Sequence, residues 1–485
     1  MADVTEGPVV LTGGARRLAT IVVLFAFFMD VLDSTIVNVA IPSIEQSIGA
    51  DPAAIQWIIA GYLLAFSLFL ITGGRLGDIF GYKRMFLVGM AGFTLASTLC
   101  GLSSGSFMLI LARLFQGAMA AVMVPQIMST IQILYPHPLE RQGVSAFYGA
   151  LAGVAAVLGP VLGAFLIAGD AFGLGWRSIF MVNLPVGIVA FIMAAIVLPD
   201  TKSPHPLNVD VFGILLTIVA LFMLVYPLIE GRELGWPAWS IASMLLSLPI
   251  LIFFAWTQVV KERVGASPLV VPSLFGRRSF LVGVLLAAVF FAVLAGYFLV
   301  LSVFMQIGAG FSVLEAGLTG IPFSIAVAIT SGISGPMLVP RFGRNVLTTG
   351  ALGMAVGIGL LWIVVHMVGA GITPALIIPP LIVAGMGMGA VVSPIFAFVL
   401  SDVPLRDAGS ASGLVSAIQQ VAGAIGVALV GLVFFSQIRL GSPVDTAGYV
   451  VGFQHAAIAE IGALLVVAAL TRFLPRFPRT ERIEA

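Results

Sequence analysis

Fourteen apolar stretches follow one another along this chain, each near the length an α-helix needs to cross a bilayer, about 20 mainly apolar residues. They are 19–42, 54–74, 85–104, 107–131, 143–169, 177–198, 211–230, 238–259, 280–306, 314–338, 346–367, 374–399, 410–436 and 451–474. The 485 residues are 60% hydrophobic and only 9% charged, against about 25% charged in a soluble domain. No soluble core absorbs that much apolar sequence, so the solvent for this fold is lipid. The predicted class is an all-α polytopic membrane protein. The first stretch is longer than a signal-peptide core and ends in no small-residue cleavage site. It is expected to stay as the first span.

Basic residues orient the spans. With the N-terminus inside, 18 of the 22 Lys and Arg fall in cytoplasmic segments. Only Arg177, Arg232 and Arg439 fall outside, and Arg113 lies within a span. Cytoplasmic loops are enriched in Lys and Arg, and one miscounted span would invert every later loop. Both termini are therefore expected in the cytoplasm, with the chain in the inner (cytoplasmic) membrane. The long inner segments 199–210 and 260–279 bracket the seventh and eighth spans. This spacing predicts two six-helix bundles in pseudo-two-fold arrangement plus two inserted central spans. The expected units are an N-terminal bundle (1–199), a two-span insert (200–262) and a C-terminal bundle with its cytoplasmic tail (263–485). A degenerate internal repeat fits: GRLGDIFGYKR (74–84) follows the second span, and VPRFGRN (339–345) follows the second span of the later six. Paired halves of this kind are the mark of a secondary transporter.

Several function classes drop out. A net charge of +1 offers no basic surface for nucleic acid. One cysteine, Cys100, and four scattered histidines give neither a disulfide framework nor a metal site, and no cofactor is expected. Gly101-Leu-Ser103-Ser-Gly105 matches a nucleophile elbow by spacing, but it lies in a short turn between spans rather than after a strand. Gly385, Gly387 and Gly389 lie inside a span, as a packing face and not a phosphate cradle.

Charge inside the spans is where function concentrates. Arg113 lies within LILARLFQGAMAAVMVPQ (109–126). Its pKa above about 12 denies it a neutral form, and a charge at that depth costs at least roughly 2.5 kcal/mol. It needs partners or water. The acids at comparable depth are Asp30, Asp33 and Glu460. At 1.5 Å per residue, Arg113 comes out ~9 Å below the outer surface, Asp33 and Glu460 ~14 Å and Asp30 ~18 Å. One layer of the membrane can hold all four. Asp30 and Asp33 share a helix face, with Thr35 and Asn38 nearby in LDSTIVNVAIPSI (32–44). Gln116 lies one turn from Arg113. Glu460 is five residues from His455, its possible local partner.

Two further motifs concern movement. In the 74–84 turn, Gly74 and Gly81 permit tight packing, Asp78 is placed to cap the next helix or pair with basic groups, and Lys83 and Arg84 hold the turn at the inner headgroups. In GALAGVAAVLGPVLGAFL (149–166), small residues at four-residue spacing build a close-packing face. Pro160, between Gly159 and Gly163, is expected to kink or loosen the span.

These motifs resemble those of the major facilitator superfamily, in its fourteen-span drug:proton antiporter branch, over nearly the whole chain. Gly74, Leu76, Asp78, Gly81 and Lys83 match the superfamily loop motif, while Ile79 and Tyr82 replace basic residues. LDSTIVNVAIP resembles the first-span signature. Arg113, Gln116 and Gly117 match the fourth-span motif. GPVLGA resembles the fifth-span antiporter motif, with Ala155 and Ala164 where glycine is usual. GWRSIFMVNLPVG (175–187) and GSASGLVSAIQQVAGAIGVA (409–428), which carries Gln419 and Gln420, also resemble this branch. The resemblance implies alternating access driven by the proton gradient. It implies Asp33 with Asp30 as proton-linked acids, Arg113 tuning their proton affinity, and Asp78 in a conformational gating loop. Gln116, Asn38, Glu460, Gln419 and Gln420 become candidate substrate-cavity residues.

The leading expectation is a proton-coupled exporter of lipophilic drugs or secondary metabolites. The alternative is an uptake symporter for a small polar solute; a membrane-embedded enzyme or a channel fits less well. Expected partners are a small-molecule substrate, protons and membrane lipid, with the protein acting as a monomer, alone or with an envelope export partner. The topology is testable. Reporter fusions after Ala485 and within 200–209 should both report cytoplasm, and a signal from the opposite side at either site overturns the orientation.

Overall fold

The computed structural model describes residues 13–203, 208–404, 408–438 and 446–478. No strand occurs among them. The helices are α1 (Gly13–Ile48), α2 (Pro52–Phe80), α3 (Tyr82–Gly101), α4 (Ser106–Leu134) and α5 (Pro138–Ala168). Next come α6 (Gly175–Val197), α7 (Val211–Glu230), α8 (Ala238–Arg263), α9 (Arg278–Gly308) and α10 (Val313–Phe342). The last four are α11 (Asn345–Val368), α12 (Pro374–Val399), α13 (Ala408–Phe435) and α14 (Thr446–Leu470). Among the described residues, thirteen are long and apolar enough to cross a membrane. The remaining one is α5, a 31-residue helix ending in the shorter apolar run Leu158–Ala168. Most helices outrun the apolar stretches that mark them, because backbone hydrogen bonding continues into polar flanks. Pro160 lies inside α5, and the helix continues through it.

Local chemistry sets the helix ends. Asp51 accepts a hydrogen bond from the Ala54 amide at 2.7 Å and Pro52 opens α2, an N-terminus with its orphan donors met. Asp210 caps α7 in the same way through Gly213. Ser312 and Glu315 form a reciprocal capping box on α10, as that spacing favours. The α2–α3 turn is a single residue, Gly81, at φ 100°. Its counterpart between α10 and α11 turns on Gly343 at φ 58°. Both angles suit glycine, which lacks the Cβ that crowds this region.

The packing repeats with an offset of eight helices. α1 packs on α5, α2 on α4, α3 on α4 and α6, and α1 on α6. Correspondingly, α9 packs on α13, α10 on α12, α11 on α12 and α14, and α9 on α14. The contacts between the halves obey the same rule, α2 meeting α13 and α5 meeting α10. This is a pseudo-two-fold pair of six-helix bundles, with α7 and α8 as an added antiparallel pair. α7 lies against both α2 and α13, along one seam between the halves. α8 turns Leu245, Ile252 and Trp256 outward, as a lipid-facing helix does.

The halves are tied together on the side away from the Lys- and Arg-rich loops. There the Ser302 hydroxyl donates to the Asn38 carbonyl at 2.5 Å, and the Gln306 amide donates to the Val39 carbonyl at 3.1 Å.

Backbone approach is tightest where glycine permits it. A Cβ at Gly117 would lie 2.3 Å from the Tyr62 carbonyl oxygen, a backbone atom that cannot swing aside. Gly117→Val should therefore separate α4 from α2 and cost about 1–3 kcal/mol. Thermal unfolding in detergent measures this, and a melting point equal to the parent's contradicts the packing.

Candidate functional site

The site lies inside the N-terminal bundle, where α1, α2, α3, α4 and α6 converge. Asp33 Oδ2 accepts from Arg113 Nη1 at 2.8 Å, and both side chains are almost wholly enclosed. Asp33 Oδ1 accepts from Asn183 Nδ2 at 2.7 Å. Asn183 also donates to Ser97 Oγ at 2.9 Å, and Ser97 in turn donates to the Phe180 carbonyl. Arg113 spends its other donors within the same pocket. Nη1 reaches Gln116 Oε1 at 2.7 Å and Nε reaches the Ile58 carbonyl at 3.2 Å. The guanidinium lies over the Tyr62 ring, 4.2 Å from its centroid. A desolvated cation over an aromatic face gains about 2 kcal/mol. The Tyr62 hydroxyl donates to Asp30 Oδ1 at 2.6 Å, which joins the second acid to the network.

Helix geometry explains the convergence. Gln116 sits three residues from Arg113 on α4, so both project from one face. Asp30 and Asp33 have the same spacing on α1, yet they take different partners: Asp33 meets α4 and α6, and Asp30 meets α2. The site holds two acids and one permanent cation beneath a shell of apolar packing. Gaining or losing one proton at Asp33 changes its pairing with Arg113 and Asn183, and so changes what holds α1 to α4 and α6.

The remaining candidates fall elsewhere. Gln116 is fully enclosed in the charged network. Asn38 is half-buried, donating to the Thr35 carbonyl while its own carbonyl serves the tie to α9. Gln419 and Gln420 are half-buried on α13. Glu460 is buried on α14 in the other bundle, so the layer deduced from depth does not bring it to Arg113. His455 is exposed, and no bond between it and Glu460 is among those described. Gly159 and Gly163 pack on α1: a Cβ at either would strike Thr35, or Ile36 and Val39. The fifth-span motif is thereby the surface against which the Asp33 helix rests, and Pro160 also faces Gly317 of α10.

The loop motif differs in detail from its expected chemistry. Asp78 caps no helix; it accepts from the Tyr82 hydroxyl at 2.8 Å, while the cap position of α3 is Gly81 with no side-chain bond. Gly74 lies beside Pro125, where a Cβ would make ordinary contact. Lys83 is half-buried and Arg84 is exposed. The residue of this motif with the most partners is Arg75. It donates to the Asn208 carbonyl at 2.7 Å and to the Pro268 carbonyl, tying α2 to both segments that flank the inserted pair. Asp210, beside that junction, is subject to burial, which pushes its carboxyl up. Hydrogen bonds from Lys261, Gln258 and the Gly213 amide more than reverse this and hold it below its ordinary value.

Sequence reading missed Asn183, Tyr62, Ser97 and Arg75. Asn183 had a signal, a lone amide in the apolar run MVNLPVG. The Tyr62 signal was weaker, since a tyrosine inside a span is common packing.

Two six-helix repeats around a buried acid–cation network define a polytopic helical carrier of the secondary-transporter class. The family model of the Major Facilitator Superfamily matches residues 23–427, and the chain belongs to that superfamily. It is a transporter and not an enzyme. It is 40% identical over 422 residues to the "Probable actinorhodin transporter" of Streptomyces coelicolor, covering 87% of this chain and 73% of that protein. It is 33% identical to the "Puromycin resistance protein pur8" of Streptomyces alboniger, covering 94% and 90% of the two chains. Among solved structures, an auto-inhibited POT family peptide transporter superposes with a TM-score of 0.69 at 13% identity, covering 96% of this chain and 98% of that one.

The buried pair makes an asymmetric prediction for stability. Arg113→Leu leaves Asp33 enclosed without its cation and should cost about 3–5 kcal/mol. Adding Asp33→Asn removes the stranded charge, so the double variant should recover much of the melting temperature. A double variant no more stable than Arg113→Leu argues against the pair as the source of the loss.

Proposed function

We propose that this protein exports a lipophilic antibiotic-type small molecule across the cytoplasmic membrane in exchange for protons, by alternating access. The carrying observation is the Asp33–Arg113–Asn183 network, which joins α1, α4 and α6 inside the bilayer. Relatives named for actinorhodin transport and puromycin resistance support export over uptake of a polar solute.

In this reading Asp33 carries the coupled proton. Its ionised form is stabilised by Arg113 and Asn183. Protonation neutralises it, leaves Arg113 with Gln116 and the Ile58 carbonyl, and frees α1 to shift against α4 and α6. A nearby cation lowers an acid's proton affinity, so Arg113 sets the pH at which this exchange occurs. Asp30 on Tyr62 is the auxiliary acid. The units are residues 1–199 and 263–485 rocking about the substrate, with 200–262 as the insert between them. The 74–84 turn is the gating loop on the cytoplasmic side, where both termini lie, and the transporting unit is a monomer. The bonds from Ser302 and Gln306 to α1 close the outer side in the state described here.

Efflux from cells lacking other pumps, measured with and without a protonophore, tests the function. Export should collapse with the protonophore. Asp33→Asn should stop pH-driven efflux while retaining substrate binding, and Arg113→Ala should shift the pH dependence of binding upward. If Asp33→Asn pumps at the parental rate against a gradient, Asp33 is not the coupling acid.

A further inference from the structure

The C-terminal bundle holds an acid that the Asp33 network does not use. Glu460 sits midway along α14, 2% exposed. Among the described residues its Oε1 has no hydrogen-bond partner, and neither does the hydroxyl of the equally buried Tyr297 on α9. The two residues lie on helices that pack against each other, Glu460 on α14 and Tyr297 on α9. The helices packed on α14 are α9, α11 and α13. Their charged groups are few: Arg278 at the start of α9, stacked on Phe473, and His366 near the far end of α11, exposed and stacked on Trp362. α13 carries none within its helical span, and His455 of α14 itself is exposed. Among the described residues no cation faces Glu460.

The placement repeats the N-terminal site with its chemistry exchanged. There the first helix of the bundle supplies an acid, Asp33, and the sixth supplies a neutral hydrogen-bonding partner, Asn183. Here the first helix supplies Tyr297 and the sixth supplies the acid. Arg113 has no counterpart. A buried carboxylate with an unpartnered oxygen and no facing cation is unfavourable, so this packing favours the protonated form of Glu460.

α9 links this acid to the outer closure. Tyr297 lies five residues before Ser302 and nine before Gln306, the two residues that bond α1. Between them α9 passes into a π-helical turn, Phe304–Gly308, and the Phe304 ring packs at a tilt on Phe453 of α14, centroids 4.6 Å apart. Such turns mark places where a helix readjusts. Swinging α9 away from α1 therefore moves Tyr297 and the seam that encloses Glu460.

We infer that Glu460, with Tyr297 on the packed helix α9, is a second proton-carrying site, in the C-terminal bundle, whose occupancy follows the position of α9. In the outer-closed packing the carboxyl keeps its proton. When α9 shifts and water enters the α9–α14 seam, the O–H bond of Glu460 breaks. The proton leaves to water, and the carboxylate that remains accepts from the Tyr297 hydroxyl. This rests on the proton-antiport reading, but adds a carboxyl that works without Arg113.

Infrared difference spectroscopy on the full-length protein in lipid bilayers, driven by pH steps with no transport substrate, tests it. A protonated-carboxyl C=O band should be present at neutral pH and lost on an alkaline step. The band should be absent in Glu460→Gln, present in Asp33→Asn and shifted in frequency in Tyr297→Phe. In Ser302→Ala/Gln306→Ala, which loosens the outer closure, it should be lost at a lower pH than in the parent. Two results overturn the inference: a spectrum unchanged by Glu460→Gln, or a Glu460 band that survives every alkaline step in both parent and loosened variant. The second would make Glu460 a permanently protonated packing group. Because Asp33→Asn is read separately, failure of the Asp33 assignment leaves this result standing.

Discussion

The rest of the structure depends on keeping one guanidinium charged inside the bilayer. Arg113 cannot neutralise itself, so five helices are arranged to satisfy it. α1 brings Asp33, α2 brings the Ile58 carbonyl and the Tyr62 ring, and α4 brings Gln116. Asn183 on α6 and Ser97 on α3 complete the shell around the acid. An ion pair this deep is weak evidence for stability in itself, because desolvation offsets much of the attraction. It does impose one packing condition: α1, α4 and α6 meet at a single buried carboxyl and must stay within hydrogen-bond reach of it.

That condition reaches the second bundle through α1. Small residues of α5 let α1 sit close against it, and the far end of α1 accepts the two hydrogen bonds from α9. The inserted pair adds restraint on both sides of the membrane. Arg75 ties α2 to the segments flanking the insert, while Trp57 of α2 donates to Glu230 at the other end of α7. Arg232, just beyond, donates to the Ile438 carbonyl after α13. The insert therefore touches both halves, and any rocking of one against the other has to be accommodated there.

The two bundles share a packing plan but differ in charge. The N-terminal bundle compensates its acids with a cation and hydrogen-bond donors. In the C-terminal bundle Glu460 is buried with one oxygen unpartnered, and among the described residues no cation faces it. The two bundles thus carry two kinds of buried carboxyl, one paired with a fixed positive charge and one that no cation faces among the described residues.

The fold class and the succession of spanning helices were legible in the sequence, because lipid imposes one rule on every segment and apolar length reports it directly. It also indicated that Arg113 must have partners, since its cost in lipid depends on no neighbour. Asp33 was legible as a candidate, alongside Asp30 and Glu460. Choosing among them took the packed fold: Asp33 and Arg113 are 80 residues apart and Asn183 is 150 residues from Asp33. Which acid meets the cation depends on how each helix is rotated and how closely its neighbours approach. Depth counted along a helix gives one coordinate of three, and so placed Glu460 in the same layer as Arg113 when it lies in the opposite bundle. Arg75 escaped notice for the same reason. Its partners are backbone carbonyls at Asn208 and Pro268, and a carbonyl carries no mark in the sequence.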